Sequence, residues 1–331
     1  MSDFALLICK KEGVEGEKEK NFLKYLYTLL RDRVKEPQIG ELLKSYELFD
    51  EVKAHIMSLP FSESEIGLKT AKVKRILSLL KEECKGICCI VPEKVSGMYP
   101  FEGFISGVFT GKHLYKSLLI QIIDEVYTKK NIEVSALDIA IIHSGKYGDL
   151  HTAISQLSPY VKFLTVVTEE KEQVEEEANE LFYDTGLAVR VTNEYRSGLK
   201  SADLIINFAD SKEFVFNTRI NPRAIILNYG NINCSKILTD NTIINGLDIE
   251  IPQAISTRLG GNIFDYYSRS EIAEIIICYK TEASTNLLEG IQDFTLYNNI
   301  SKEFKKMGFK ITGFIGRRNI FKARDIVLNG A

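Results

Sequence analysis

The chain has 331 residues, 45% hydrophobic and 26% charged, the balance of a globular protein long enough for two domains. Lys+Arg 42 against Asp+Glu 45 leaves a formal charge of -3, too near neutral for a general binder of nucleic acid or of an anionic membrane. No apolar run reaches the ~18 residues that span a bilayer. The first residues lack the apolar core of an export signal, so the 6 cysteines are expected to be reduced thiols of a cytoplasmic protein.

In chain order, residues 3–10 form an apolar run of strand length. Residues 17–35 place Phe22, Leu23, Leu26, Leu29 and Leu30 at helical spacing. A second helix is expected over 67–83, with Val73, Ile76, Leu77 and Leu80 on one face, followed by a buried strand over 87–91. Glycine and proline punctuate 92–112 as a loop. Residues 113–130 return to helical spacing through Leu114, Leu118, Ile122 and Val126.

From residue 132 the pattern alternates regularly. Short, almost wholly apolar strands are expected at 137–142, 162–168, 187–192, 204–208 and 224–229, with helices at 149–157, 169–183 and 196–202. Apolar strands joined by helices imply a parallel sheet covered on both faces. The expected fold is α/β, a doubly wound, Rossmann-like parallel sheet over 131–265. A separate N-terminal α/β domain takes 1–130, and a C-terminal helical return with a basic tail takes 266–331. Helices are expected at 268–279 and 287–307, and strand-like or irregular chain at 309–324.

The turn after the first strand of the second block carries the chemistry. His143-Ser144-Gly145-Lys146-Tyr147-Gly148 lies between a strand and a helix, the setting in which glycines let a pyrophosphate approach the free N–H groups of a helix start. Gly145 and Gly148 hold the second and third glycine positions of that fingerprint, and His143 replaces the first. Asp149 opens the helix with a carboxylate near the phosphates, and Lys146 offsets it. Ser144, Gly145, Lys146 and Gly148 are therefore cofactor-binding candidates, against the plainer reading of a capped turn that binds nothing. Glu169, at the end of the next strand, has the spacing of the acid that bonds the ribose hydroxyls and so selects NAD over NADP. It also reads simply as a negative first turn of a helix. Asn207 and Ser211 after the fourth strand, and Asn228 after the fifth, stand where parallel strands line a ligand crevice, although turns select the same residues.

Three stretches resemble a known family. They are Val166-Val167-Thr168-Glu169-Glu170-Lys171, then Leu199-Lys200-Ser201-Ala202-Asp203-Leu204-Ile205-Ile206-Asn207, then Asn221-Pro222-Arg223-Ala224-Ile225-Ile226-Leu227-Asn228. Together they are similar to the cofactor domain of shikimate dehydrogenase and glutamyl-tRNA reductase. The flanking runs 103–110, 246–252 and 271–274 resemble long-chain acyl-carrier-protein reductases. The resemblance implies an NAD(P) reductase acting on an activated acyl group or a small carbonyl substrate. Two departures stand against it: the thioester-forming cysteine of those reductases falls on Glu271, and the Lys/Asp pair of shikimate dehydrogenase has no match.

Lys112 and His113 are catalytic candidates as proton donors to a carbonyl, with a solvated loop as the alternative. Arg258 lies in a glycine-bearing loop where it could hold a substrate carboxylate. Cys84, Cys88 and Cys89 lack the paired spacing of a zinc site, and no metal is expected. His151 reads as a surface residue. Expected partners are a small-molecule substrate, an acidic carrier protein at the basic tail (Lys305, Lys306, Lys310, Arg317, Arg318, Lys322, Arg324), and further copies of the chain in a homo-oligomer. Three classes stay open: an NAD(P)-dependent oxidoreductase, a non-catalytic Rossmann-like protein binding a nucleotide or other small ligand, and a partner-binding protein with an empty fold.

Overall fold

The computed structural model describes residues 3–9, 42–49, 52–63, 66, 70–97, 101, 109–127, 131–144, 147–209, 220–230, 240–317 and 319–326. The expected helix at 17–35 lies outside these. The chain divides into two units, Met1–Thr110 with Gln253–Glu271, and Gly111–Pro252 with Ile272–Ala331.

The first unit is built on a four-stranded sheet in the order β2-β3-β1-β4. Its strands are β1 (Phe4–Ile8), β2 (Leu43–Phe49), β3 (Val52–Ser58) and β4 (Cys88–Ile90). The central strand β1 runs parallel to both β3 and β4, and β2 pairs antiparallel with β3. Helix α1 (Thr70–Glu83) buries Val73, Ile76, Leu77 and Leu80, the face that helical spacing predicts. A short helix α2 (Glu93–Ser96) follows β4. The residues that return after Pro252 complete this unit. The fully buried hydroxyl of Tyr267 accepts from Leu7 N at 3.0 Å and lies 3.0 Å from Leu7 O and 2.9 Å from Ile90 O. Burial holds that hydroxyl well above the ordinary phenol value, so it stays protonated and can donate.

The second unit contains a six-stranded sheet in the order β10-β9-β8-β5-β6-β7. Its strands are β5 (Ile139–Ile142), β6 (Phe163–Val167), β7 (Ala188–Thr192), β8 (Leu204–Asn207), β9 (Ile225–Asn228) and β10 (Ile243–Ile244), and every pairing is parallel. Every residue of β5, β8 and β9 is buried, whereas the edge strand β7 alternates. Apolar runs in the middle and a half-exposed strand at the edge are what two covering layers of helix require. Counted from β5, the spatial order is 3-2-1-4-5-6, the doubly wound Rossmann order, whose direction reverses between β5 and β8. The expected fold class thus holds, with β10 as a sixth strand beyond the five read from the pattern.

Around this sheet lie α3 (Lys112–Ser117), α4 (Leu119–Tyr127), α5 (Tyr147–Leu157), α6 (Lys171–Thr185) and α7 (Tyr195–Leu199). The helix expected at 113–130 is interrupted at Leu118, yet Leu114, Leu118, Ile122 and Val126 are all buried. Helix α8 (Gln253–Leu259) belongs to the first unit, and α9 (Arg269–Lys280) carries the chain across the boundary between units. Two further helices, α10 (Ala283–Leu288) and α11 (Phe294–Lys306), replace the single one expected at 287–307; Asp293 caps α11 by accepting from Leu296 N at 2.8 Å. The strand-like segment at 309–324 forms β12 (Lys310–Ile315) and β13 (Ile320–Phe321), which join β11 (Gly246–Glu250) in an antiparallel sheet.

The division of the chain differs from the expected one in two places. The first crossing falls at Thr110, not near residue 130, because α3 and α4 bond to the second unit. Tyr115 Oη donates to Ile244 O and Tyr127 Oη to Asp203 O, each at 2.8 Å. Residues 266–331 are shared between the units instead of forming one helical return, because Tyr267 bonds to the first unit's strands and Glu271, at the start of α9, accepts from Glu93 N at 3.5 Å.

Candidate functional site at the carboxyl rim of the parallel sheet

In an open parallel sheet, ligands bind beyond the carboxyl ends of the strands, beside the reversal of strand order. The register aligns the last residues of five strands in one row: Thr192, Val167, Ile142, Asn207 and Asn228. Backbone bonds carry the row one residue further. His143 N donates to Val167 O at 3.0 Å, Phe208 N to Ile142 O at 2.9 Å, and Tyr229 N to Asn207 O at 2.8 Å.

Asn207 and Asn228 are buried in this rim. Asn207 Nδ2 donates to Asn228 Oδ1 at 2.8 Å, Asn228 Nδ2 to Asn245 Oδ1 at 2.9 Å, and Asn245 Nδ2 to Gly316 O at 3.2 Å. Asn207 also closes its own turn through Ala209 N and O. These two ligand candidates are thus tied into a chain of side-chain amides that fixes the strand ends. Beside them Gly230 is required by packing, since a Cβ there would run into Ala209 O.

The turn after β5 departs from a three-glycine fingerprint in a definite way. His143 is 1% exposed. Burial pushes its pKa below the ordinary value, against the pull of the Glu170 and Asp149 carboxylates, so its imidazole is neutral at pH 7. Ser144 is exposed. Gly145, Lys146 and Ser211 lie outside the described residues. Helix α5 begins at Tyr147, so Gly148 and Asp149 sit in its first turn. A Cβ on Gly148 would meet Gln292 O at 3.6 Å, an ordinary contact, so packing does not demand glycine there.

Asp149 does not face the turn as a bare charge. Its Oδ1 lies 2.6 Å from Lys116 Nζ, with side-chain exposures of 10% and 14%. Lys116, one helical turn beyond Lys112, therefore supplies the neutralising charge that the sequence suggested for Lys146. The spacing of 33 residues and the phase of α3 hide this pair from sequence reading. Lys112 is exposed, and His113 is half-buried with Nδ1 3.1 Å from Tyr297 Oη, which donates to Gln292 Oε1 at 2.9 Å. Desolvation, then the Lys116 charge, hold His113 down to about 4 despite Asp149. A ring neutral at pH 7 is better suited to accept a proton than to deliver one.

Glu169 is exposed just beyond β6, two residues past Val167. Thr168 Oγ1 accepts from Glu170 N at 3.1 Å, which turns the chain into α6. Burial, with the Glu169 carboxylate second, raises the Tyr195 hydroxyl above its ordinary value. Glu169 thus stands at the carboxyl end of β6, one strand from the reversal between β5 and β8.

Other candidates have structural partners. Glu271 Oε2 accepts from Ser268 N at 2.6 Å, and Ser268 Oγ from Glu271 N at 3.2 Å. This capping box starts α9 and occupies the position where the resemblance places a cysteine. Arg258 Nη1 donates to Leu48 O at 2.5 Å and to Glu47 O at 3.3 Å, so it caps the edge strand β2. His151 is exposed. In the basic tail, Lys306 pairs with Glu303 at 3.2 Å. Among the described residues no cluster of His, Cys, Asp or Glu could hold a metal, and no helix is long and apolar enough to cross a membrane.

No family model matches the chain. No curated protein matches it either. Among solved structures, it is similar to a chorismate mutase/shikimate 5-dehydrogenase fusion protein from Clostridium acetobutylicum, with 15% identity over 92% of this chain and 98% of that one, TM-score 0.31. The L-tryptophan dehydrogenase of Nostoc punctiforme matches with 13% identity over 76% and 68%, TM-score 0.30. The Delta(1)-pyrroline-2-carboxylate reductase of Thermococcus litoralis, solved with NADH and L-proline, matches with 14% identity over 36% of each chain, TM-score 0.28. The chain thus spans about a third of the last protein's length.

Proposed function

We propose that the chain is an NAD(H)-dependent oxidoreductase that reduces a small carbonyl substrate, with a dinucleotide turn altered at His143. The observation that carries this reading is the exposed Glu169 at the end of β6, the strand beside β5 in the half of the sheet that begins at the reversal of strand order. A carboxylate there bonds ribose hydroxyls and repels a 2′-phosphate. The described residues fit the cofactor in a second respect. Lys116 neutralises Asp149, which removes the charge that would oppose a pyrophosphate at the start of α5.

Ser144, Gly148 and Glu169 would hold the dinucleotide, which supplies a hydride when bound. A carbonyl fits better than a thioester carried on Cys9, Cys84, Cys89 or Cys278. Burial pushes the thiols of Cys9 and Cys89 up to about 11, burial also raises Cys84 and Cys278, and Glu271 is spent on a helix cap. A thiol raised in this way holds little of the thiolate that attacks an acyl group. Lys112, exposed at the start of α3, is the candidate proton donor to the carbonyl oxygen.

Titration calorimetry with NADH and NADPH tests the reading. Wild type should prefer NADH, and Glu169→Ala should weaken NADH binding about tenfold, near 1.4 kcal/mol, without changing the unfolding midpoint. Tighter binding of NADPH, or no binding of either, would overturn it. A second reading, dinucleotide binding without turnover, is favoured by the neutral, bonded His113. NADH binding without NADH consumption across a panel of aldehydes, ketones and 2-oxo acids would select it.

A further inference from the structure

Behind the start of α5 lies a small, partly open space of about 10 Å³, lined by Lys116, Asp149, Thr152, Gln156, Phe208 and Tyr229 among others. That volume admits one water centre and no organic ligand. Thr152 is 2% exposed, and no protein group among the described residues bonds its Oγ1. A buried hydroxyl left without a partner is costly, and such groups are normally satisfied by protein or by ordered water.

The surrounding groups have bonding capacity to spare. Lys116 carries three N–H donors and Asp149 two carboxylate oxygens, of which one from each is used in their 2.6 Å contact. Gln156 donates through Nε2 to Lys116 O at 3.2 Å, which leaves its amide oxygen as an acceptor. The pair of charges sums to zero, so the space favours a neutral occupant over an ion. Phe208 and Tyr229 close the apolar side.

We infer that this space is a built site for a single internal water, bonded to Thr152 Oγ1 and to the Lys116–Asp149 pair. The water fastens the first two turns of α5 to α3. The inference does not depend on dinucleotide binding.

The sign of one substitution tests it. Thr152→Val keeps the shape and removes the hydroxyl. If the water is present, it loses a partner and the melting temperature falls. If the space is dry, an unsatisfied hydroxyl is removed and the melting temperature holds or rises. Oxygen-17 relaxation dispersion, which counts long-lived waters, should find one fewer in Thr152→Val than in wild type. Thr152→Ser, which keeps the hydroxyl, should retain the wild-type count. A melting temperature that holds or rises in Thr152→Val, or an equal water count in wild type and Thr152→Val, would overturn the inference. Should Thr152→Val fail to fold, electron density at Thr152 Oγ1 in a high-resolution crystal of the wild type decides, with a water peak supporting it and an empty space refuting it.

Discussion

Asn207 donates its side-chain amide to Asn228 across 2.8 Å, joining the ends of two adjacent parallel strands at the rim where a ligand would bind. Both side chains are thereby committed to the scaffold. Replacing Asn228 by Ala would leave the Asn207 amide and the Asn245 oxygen without their partner. The expected cost is about 1–3 kcal/mol, read from urea unfolding. Asn228→Asp should restore part of it, since its carboxylate still accepts from Asn207 but can no longer donate to Asn245.

Two glycines near this rim should respond oppositely to alanine. At Gly230 a Cβ would run into the backbone oxygen of Ala209, so Gly230→Ala should destabilise by about 2 kcal/mol or more. At Gly148, in the first turn of α5, there is room. Gly148→Ala should leave stability unchanged or raise it by up to about 1 kcal/mol through helix propensity. Thermal unfolding of both variants checks the contrast. A Gly148→Ala protein that is stable but binds NADH more weakly would assign this glycine to ligand approach.

His113 should make the second unit acid-sensitive. Its folded pKa of about 4 lies below the ordinary 6.5, so the unfolded chain takes up the proton first as pH falls. Its contribution is therefore complete above about pH 6.5, declines between 6.5 and 4, and is flat below 4. The loss across that window is about 3 kcal/mol. His113→Gln should flatten this part of the stability curve, measured by urea unfolding at a series of pH values. His143, also held down by burial, acts in the same direction.

In the first unit, Tyr267→Phe removes the hydroxyl that serves Leu7 N, Leu7 O and Ile90 O together. The expected loss is about 1–3 kcal/mol. Hydrogen exchange should localise it to β1 and β4 and leave β5 and β8 unchanged. Equal loosening of both sheets would refute that localisation.

The parallel sheet was legible because its strands are buried on both faces. Runs such as Ile139–Ile142 and Leu204–Asn207 must then be apolar throughout, and the helices between them force parallel pairing. The hairpin of β2 and β3 was not read from the pattern. Leu43–Phe49 mixes polar and apolar residues because it is an edge strand, and its Glu47 and Leu48 carbonyls accept from Arg258, more than 200 positions away. Glu169 was legible because a single position after a strand places it. The Lys116–Asp149 pair was not, because it depends on the rotation of α3 relative to α5. Arg258 was read as a ligand-side residue for a related reason. A guanidinium bonded to backbone carbonyls looks, in sequence, like a group awaiting a substrate.

Tyr267 also has a bearing on how the chain is made. The ribosome delivers β1 to β4 first, then the whole of the six-stranded sheet, and only afterwards the hydroxyl that closes β1 against β4 and the guanidinium that caps β2. N-terminal domains commonly finish folding while the rest is still being synthesised. Here the first sheet takes bonds from residues 258 and 267, made after the second sheet. The earliest-made sheet lacks these bonds until its last parts leave the exit tunnel. A nascent chain released before residue 267 should therefore be an early target for chaperones and proteases, even though all four strands of its first sheet have been translated.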